Sequence, residues 1–301
     1  MKNRTTIILA IGFVLLWNSG FIGAEYGLPY TGPFTLLFWR YLALTLVVYF
    51  YLLIRKRFRW FGWRVAGPHM LMGILAHGVW LSCVLVALDH KVPAGVVALV
   101  VALQPLVTGV FSGWAVGEET GHSQWIGLAL GFAGVALTVG FRIDFESPAS
   151  VFSYLIPLGS VLSITAAHLI QRRLVVIKRH RKLPVDLSLF YQSLATTVVL
   201  LFPALFAEQF TTRWVPDFIY TMVWLILAVS LGAYALMWML IERLDATRVA
   251  SLFYLGPPVT MLMAWIAFGD RVRVMDLVGL GVVFVGVVFT QRATKKTSPK
   301  G

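Results

Sequence analysis

Apolar residues in this chain come in long runs, broken by short polar punctuation. Such runs lie at roughly 7–24, 34–54, 67–88, 93–115, 123–141, 153–170, 187–207, 218–241, 249–268 and 274–291. Each is close to the about 20 residues that an α-helix needs to cross the hydrocarbon core of a bilayer. The pattern predicts an all-α integral membrane protein with ten transmembrane helices. The uncharged part of the last run begins only after Asp276, which places Asp276 at an interface. The first run lacks a small-x-small cleavage site and reads as a true span rather than a signal peptide. The connections are short, the longest being the basic stretch from Arg172 to Asp186. No loop has room for a soluble domain.

The pattern also repeats. Residues 94–134 and 246–286 align without a gap: Ala94 on Ala246, Ala98 on Ala250, Pro105 on Pro257, Gly117 on Gly269, Glu118 on Asp270, Gly127 on Gly279 and Gly134 on Gly286. Each copy is an apolar helix with a mid-helix proline, a Gly-acid turn, and a second apolar helix studded with glycine. Repeats of this kind set the architecture. The halves divide at 1–145 and 146–301 with five predicted helices each. An odd number makes the second half enter the membrane from the opposite face. Inverted repeats around an in-plane pseudo-twofold are a common plan for secondary transporters, with substrate bound at the repeat interface near the midplane.

Composition strengthens the membrane reading. The chain is 59% hydrophobic and 13% charged, with mean hydropathy +0.82, where a soluble domain carries about 25% charge. The net charge of +12 suggests nucleic acid until the basic residues are placed on the ten-span topology. Arg55–Arg64, Arg172–Lys182, Arg243, Arg248 and the basic residues of both tails fall on one side. Lys91, Arg142, Arg213, Arg271 and Arg273 fall on the other, and Arg40 lies within a span. Lys and Arg mark the cytoplasmic side, so both termini are expected to be cytoplasmic, and the high charge is a topology signal rather than a nucleic-acid footprint. The lone Cys83 allows no internal disulfide.

The stretches LLWNSGFIGAEYGL, FWRYLAL, QPLVTGVFSGWAVGEE and its second copy GPPVTMLMAWIAFGD resemble the drug/metabolite transporter superfamily, EamA branch, over about residues 7–291. The resemblance implies a ten-helix bundle in a bacterial inner membrane, with a central cavity walled mainly by helices 1, 3, 4, 6, 8 and 9. It also implies export or exchange of small metabolites. Amino-acid exporters, including those for aromatic residues, are the members that the chain most resembles.

Polar residues deep in a span are costly and usually face protein or a water-filled cavity. The candidates for substrate contact are Trp17 and Asn18 in helix 1, His77 and Trp80 on one face of helix 3, and Gln104 in helix 4. His168 in helix 6, Tyr234 and Trp238 in helix 8, and Tyr254 in helix 9 complete the set. His77 reads either as a ligand or proton carrier or as a histidine bonded to a neighbouring helix. The aromatics either stack a substrate and hold its ammonium or simply pack. Asn18 and Gln104 either bind a carboxylate or tie helices together. Pro105 and Pro257 each free a backbone carbonyl and read as a pair of hinges or as static kinks. Arg40 is expected to face lipid or to be structural, its side chain snorkelling to the near interface. Glu118 and Asp270 are expected to cap the helices that follow them. The glycines of helices 5 and 10 are expected to let those helices pack closely.

Together these features predict a carrier that needs no cofactor, metal or obligate protein partner, with a small molecule and the bilayer as its partners. No span holds a central carboxylate, so facilitated diffusion or exchange is simpler than strong proton coupling. A cargo other than an amino acid, such as another metabolite or a drug, stays open. A membrane-embedded lipid enzyme is the distant alternative, since no acid/base or metal-binding constellation lies at one depth.

Overall fold

The computed structural model describes residues 4–90, 92, 97, 100–140, 151–176, 183–269 and 273–292. Ala94, Ala98 and Asp270 of the repeat lie outside them, as do Lys2, Lys91, Arg142, Lys178, Arg179, Arg181, Lys182, Arg271, Lys295, Lys296 and Lys300. The described chain is helical, with only an isolated bridge between Thr31 and Thr212. We label α1 Arg4–Gly27 and α2 Pro33–Ile54. α3 runs as Trp63–Gly73, a π-helical stretch Ile74–Val79, and Trp80–Asp89. α4 is Gln104–Val116, α5 His122–Gly140, α6 Ile156–Val176 and α7 Val185–Phe206. α8 runs as Pro216–Trp224, a π-helical stretch Leu225–Ala233, and Tyr234–Arg243. α9 comprises Ala246–Ser251, a 3₁₀ stretch Leu252–Leu255 and Gly256–Phe268, and α10 is Val274–Arg292. Among the described residues eight helices are long and apolar enough to cross a bilayer. The outer surface is apolar, with Ile54 80%, Trp114 88% and Phe206 77% exposed, as a bilayer solvent requires.

Helix bounds recur at one offset. Thr45 and Thr197 are 152 positions apart, and the same step carries the ends of α2 onto those of α7. It also carries α4 onto Gly256–Phe268, α5 onto α10, and the start of α1 onto the start of α6. Both π-helical stretches fall at matching places in α3 and α8. Gly117 (φ 68°) and Gly269 (φ 74°) end matching helices in the left-handed region, a conformation that glycine takes without Cβ strain. Pro105 and Pro257 do not interrupt continuous helices. Each stands in the first turn of a half-helix, where its missing N–H is no loss.

Two crossings tie the halves together. In the first, α5 packs on α10. A Cβ on Gly127 would lie 2.6 Å from the Gly286 carbonyl oxygen, and one on Gly134 2.8 Å from that of Gly279. The early glycine of each helix meets the late glycine of the other, so the pairing is antiparallel and self-complementary. In the second, α2 packs antiparallel on α7. Glu208, just past the end of α7, accepts from the Phe34 and Thr35 amides at 3.0 and 2.6 Å. At the opposite end Arg57 pairs with Asp186 at 3.0 Å. Between them the repeat-matched hydroxyls of Thr45 and Thr197 bond each other at 3.2 Å. At the head of α10, Asp276 is buried and accepts from the Arg273 amide at 2.7 Å.

Candidate functional site

α1 sets the depth scale. Phe13 meets Phe253, the Asn18 carboxamide oxygen accepts from Thr260, and Tyr26 reaches the Ala267 carbonyl. So α1 and α9 run side by side in one direction, and the start of α9 lies level with the start of α1.

A cavity of about 340 Å³ opens along the second half of α1. It reaches from Trp17 to Leu28, and α2, α3 and α8 supply its other walls through Leu36, Arg40, Trp80, Val84, Val229 and Tyr234. Its base is aromatic. The Trp17 ring stands 4.8 Å from Tyr234, 5.3 Å from Trp80 and 5.1 Å from Phe253, centroid to centroid. The Tyr234 hydroxyl donates to the Ala76 carbonyl at 3.0 Å, which fixes the ring against the π-helical turn of α3. Of the predicted contacts, Trp17, Trp80 and Tyr234 therefore share one wall.

The others lie elsewhere. His77 is one layer behind, its ring 4.0 Å from that of Tyr234 and its Nε2 3.2 Å from Gln192 Oε1. Asn18 donates to the Val14 carbonyl at 2.6 Å and joins α1 to α9. Tyr254 faces α5, where a Cβ on Gly131 would run into its ring. Gln104, His168 and Trp238 gather on the other side of Trp17, toward the start of α1. Gln104 Nε2 is 3.1 Å from Thr108 Oγ1 and 3.3 Å from His168 Nδ1. The His168 ring lies 5.3 Å from Phe253 and 6.2 Å from Trp238. All three side chains are buried.

Beyond that cluster lies a polar network, which we call the latch. Arg172 Nε donates to Glu118 Oε1 at 2.8 Å and Nη1 to the Ile241 carbonyl at 2.9 Å. Glu118 Oε2 accepts from the Ala246 amide at 3.3 Å. Glu118 thus serves the first turn of α9, not the α5 turn that follows it. Gln124 takes the place nearest α5, accepting from the Gly121 amide at 2.9 Å and donating to Asp245 at 3.3 Å. A hydroxyl pair, Thr120 with Thr247 at 3.3 Å, adds another link. Arg172 joins α6 to the α4–α5 turn and to α8, Glu118 and Thr120 join that turn to the start of α9, and Gln124 joins α5 to Asp245 between α8 and α9. One repeat step back from Arg172 stands Gly20, which lines the cavity. The opposite end therefore has no arginine in this position.

Of the two expectations for Arg40, a lipid-facing side chain is not what the structure has, while its bond to Ser230 is compatible with a structural one. It is 4% exposed and turns into the cavity instead of toward lipid. α2, absent from the walls implied by resemblance, is a wall through Leu36, Leu37 and Arg40. Sequence distance from the helix end could not reveal this, because the side chain's direction around the helix decides it. The break of α9 into α-helix and 3₁₀ was signalled by Gly256-Pro257-Pro258, whereas the π-helical turns had no such signal.

Comparison with known proteins agrees with this arrangement. Residues 4–140 and 158–292 each match the EamA-like transporter family. The chain is 26% identical over 300 residues to the uncharacterized transporter YvbV of Bacillus subtilis, covering 98% of this chain and 93% of that one. It is 27% identical over 277 residues to the uncharacterized inner membrane transporter YedA of Escherichia coli K12, covering 91% and 86%. A probable amino-acid metabolite efflux pump of Salmonella typhimurium is 22% identical, covering 95% and 94%. A solved crystal structure superposes with TM-score 0.76 at 19% identity over 95% of this chain and 96% of its own, a likeness of fold. The apolar spans, the two matched halves and the cavity between them thus belong to a multi-pass membrane protein of the EamA-like transporter family.

Proposed function

We propose that this protein is a carrier that exports or exchanges small metabolites, foremost amino acids with bulky or aromatic side chains, by alternating access. The observation that carries the reading is the pairing of an aromatic-based cavity on one side of Trp17 with a polar latch on the other. The volume of about 340 Å³ lies within the ~300–1,000 Å³ of small-molecule sites. The relative named as an amino-acid metabolite efflux pump points to the same cargo class.

In this reading the chain forms ten spans as two inverted five-helix repeats, 1–145 and 146–301. The antiparallel α5–α10 and α2–α7 crossings and the constant offset of helix bounds support it. The basic clusters put both termini in the cytoplasm, and the inner-membrane relative suggests the bacterial inner membrane. The cavity then faces outward and the latch is the cytoplasmic gate. When the latch parts, Gln104, His168 and Trp238 become the wall of an inward cavity. The half-helices that begin at Gln104 and Gly256 rotate about Pro105 and Pro257, which serve as hinges. His77, Asn18 and Tyr254 support this frame from behind.

The test is flux in proteoliposomes of the purified protein, using a panel of labelled amino acids with and without a pH gradient. Saturable flux of bulky neutral amino acids, little altered by the gradient, is expected. Absence of flux for the whole panel overturns the reading.

A further inference from the structure

We infer that Arg40 is the anion anchor of the cavity, so that the cargo presents a carboxylate to Arg40 and an apolar body to Trp17 and Trp80. This rests on the carrier function proposed above and names the chemistry of its substrate.

Arg40 lies about 10 Å along α2 from Pro33, at about 1.5 Å per residue, and is 4% exposed. A guanidinium has five N–H donors and keeps its charge at any physiological pH. Nε donates to Ser230 Oγ at 2.7 Å, and the group lies 5.5 Å from the Tyr41 ring centroid. Among the described residues no carboxylate pairs with it. Among the described residues its remaining four donors take no protein acceptor. A permanent cation at membrane depth without a counter-ion is costly, and such residues mark substrate pathways. The other charged lining group, Glu25, stands on the exposed last stretch of α1.

The second half of the molecule supplies an internal control. One repeat step from Arg40 is Gln192, 0% exposed. Each of the two reaches the π-helical turn of the helix it crosses. Arg40 bonds Ser230 in α8, and Gln192 bonds His77 in α3 at 3.2 Å. Gln192 also donates to Ser188 at 2.9 Å. The packing task at this position is thus met by a neutral amide. The charge in the first half is surplus to packing, and it stands where the cavity is. A planar fork with unpaired N–H groups matches a carboxylate bidentately.

The experiment measures binding by calorimetry to purified protein, with three probes: L-phenylalanine, 3-phenylpropionate (carboxylate without amine) and phenethylamine (amine without carboxylate). The wild type is expected to bind the two carboxylates at least tenfold more tightly than the amine. Arg40→Gln, which installs the residue of the matching position, should lose at least tenfold for the carboxylates with an unchanged melting temperature. Arg40→Lys, which keeps the charge but not the fork, should lose less and only for the carboxylates. Phenethylamine bound as tightly as L-phenylalanine, or an equal loss for all probes in Arg40→Lys, overturns the anchor. If proteoliposome flux persists in that case, the carrier reading stands alone. If no probe binds and no amino acid moves, both fall.

Discussion

Removing the charge of Glu118 should open the latch. Its pair with Arg172 is largely shielded, with side-chain exposures of 16% and 8%. Two bonds of this pair cross to α8 and α9, at the Ile241 carbonyl and the Ala246 amide. Hydrogen bonds to charged groups contribute about 1.5–3 kcal/mol each, and breaking a buried pair from one side costs about 3–5 kcal/mol. Glu118→Gln keeps the shape and some hydrogen bonding, so a shift of about 3 kcal/mol toward the open gate is expected. That is roughly a 100-fold change in the closed-to-open ratio. A single cysteine at Thr108, fully buried behind the latch, reports the change in a Cys83→Ser background. An impermeant maleimide applied from the latch side should label Thr108→Cys at least tenfold faster when Glu118→Gln is present. Labelling of Leu81→Cys, at a position that lines the cavity, should slow from the cavity side. An unchanged Thr108→Cys rate in a protein that still melts cooperatively refutes the latch.

The crossing of α5 and α10 should tolerate no side chain at Gly286, where a Cβ would lie 2.6 Å from the Gly127 carbonyl oxygen. Gly286→Val should destabilise by about 1–3 kcal/mol, read as a lower melting temperature in detergent, whereas Gly281→Ala, with open space around it, should not. Trp80→Ala removes a ring 5.3 Å from Trp17. Since aromatic pairs contribute about 0.5–1.5 kcal/mol beyond burial, KM for an aromatic cargo should rise about 2–10-fold in the flux assay, with a smaller rise for a small aliphatic one.

The class of fold was legible because bilayer physics leaves so few options. Long apolar runs must be helices, and a matched second copy shows up as matched landmarks such as Pro105 with Pro257 and Gly127 with Gly279. The site was legible only in part. Trp17, Trp80 and Tyr234 could be nominated as aromatics at mid-depth, and they do meet. Gln104, a polar residue before Pro105, His168, near the inner end of its helix, and Trp238 cluster with one another instead, away from the cavity, because sequence gives the depth of a side chain and not its neighbours. A long side chain such as that of Arg40 near a helix end can reach water, and only packing shows which way it turns. Glu118 was read against its nearest helix in sequence, whereas its partners, Arg172 and Ala246, come from elements far along the chain.

The most direct test of a single cavity exposed to each side in turn is a pair of distances in lipid nanodiscs. Spin labels at Pro29 and His90 flank the cavity, and labels at Glu119 and Arg243 flank the latch. Glu118→Gln should lengthen the latch distance while shortening the cavity distance, the two populations moving in opposition. Distances that both stay fixed, or that lengthen together, would contradict an alternating-access carrier.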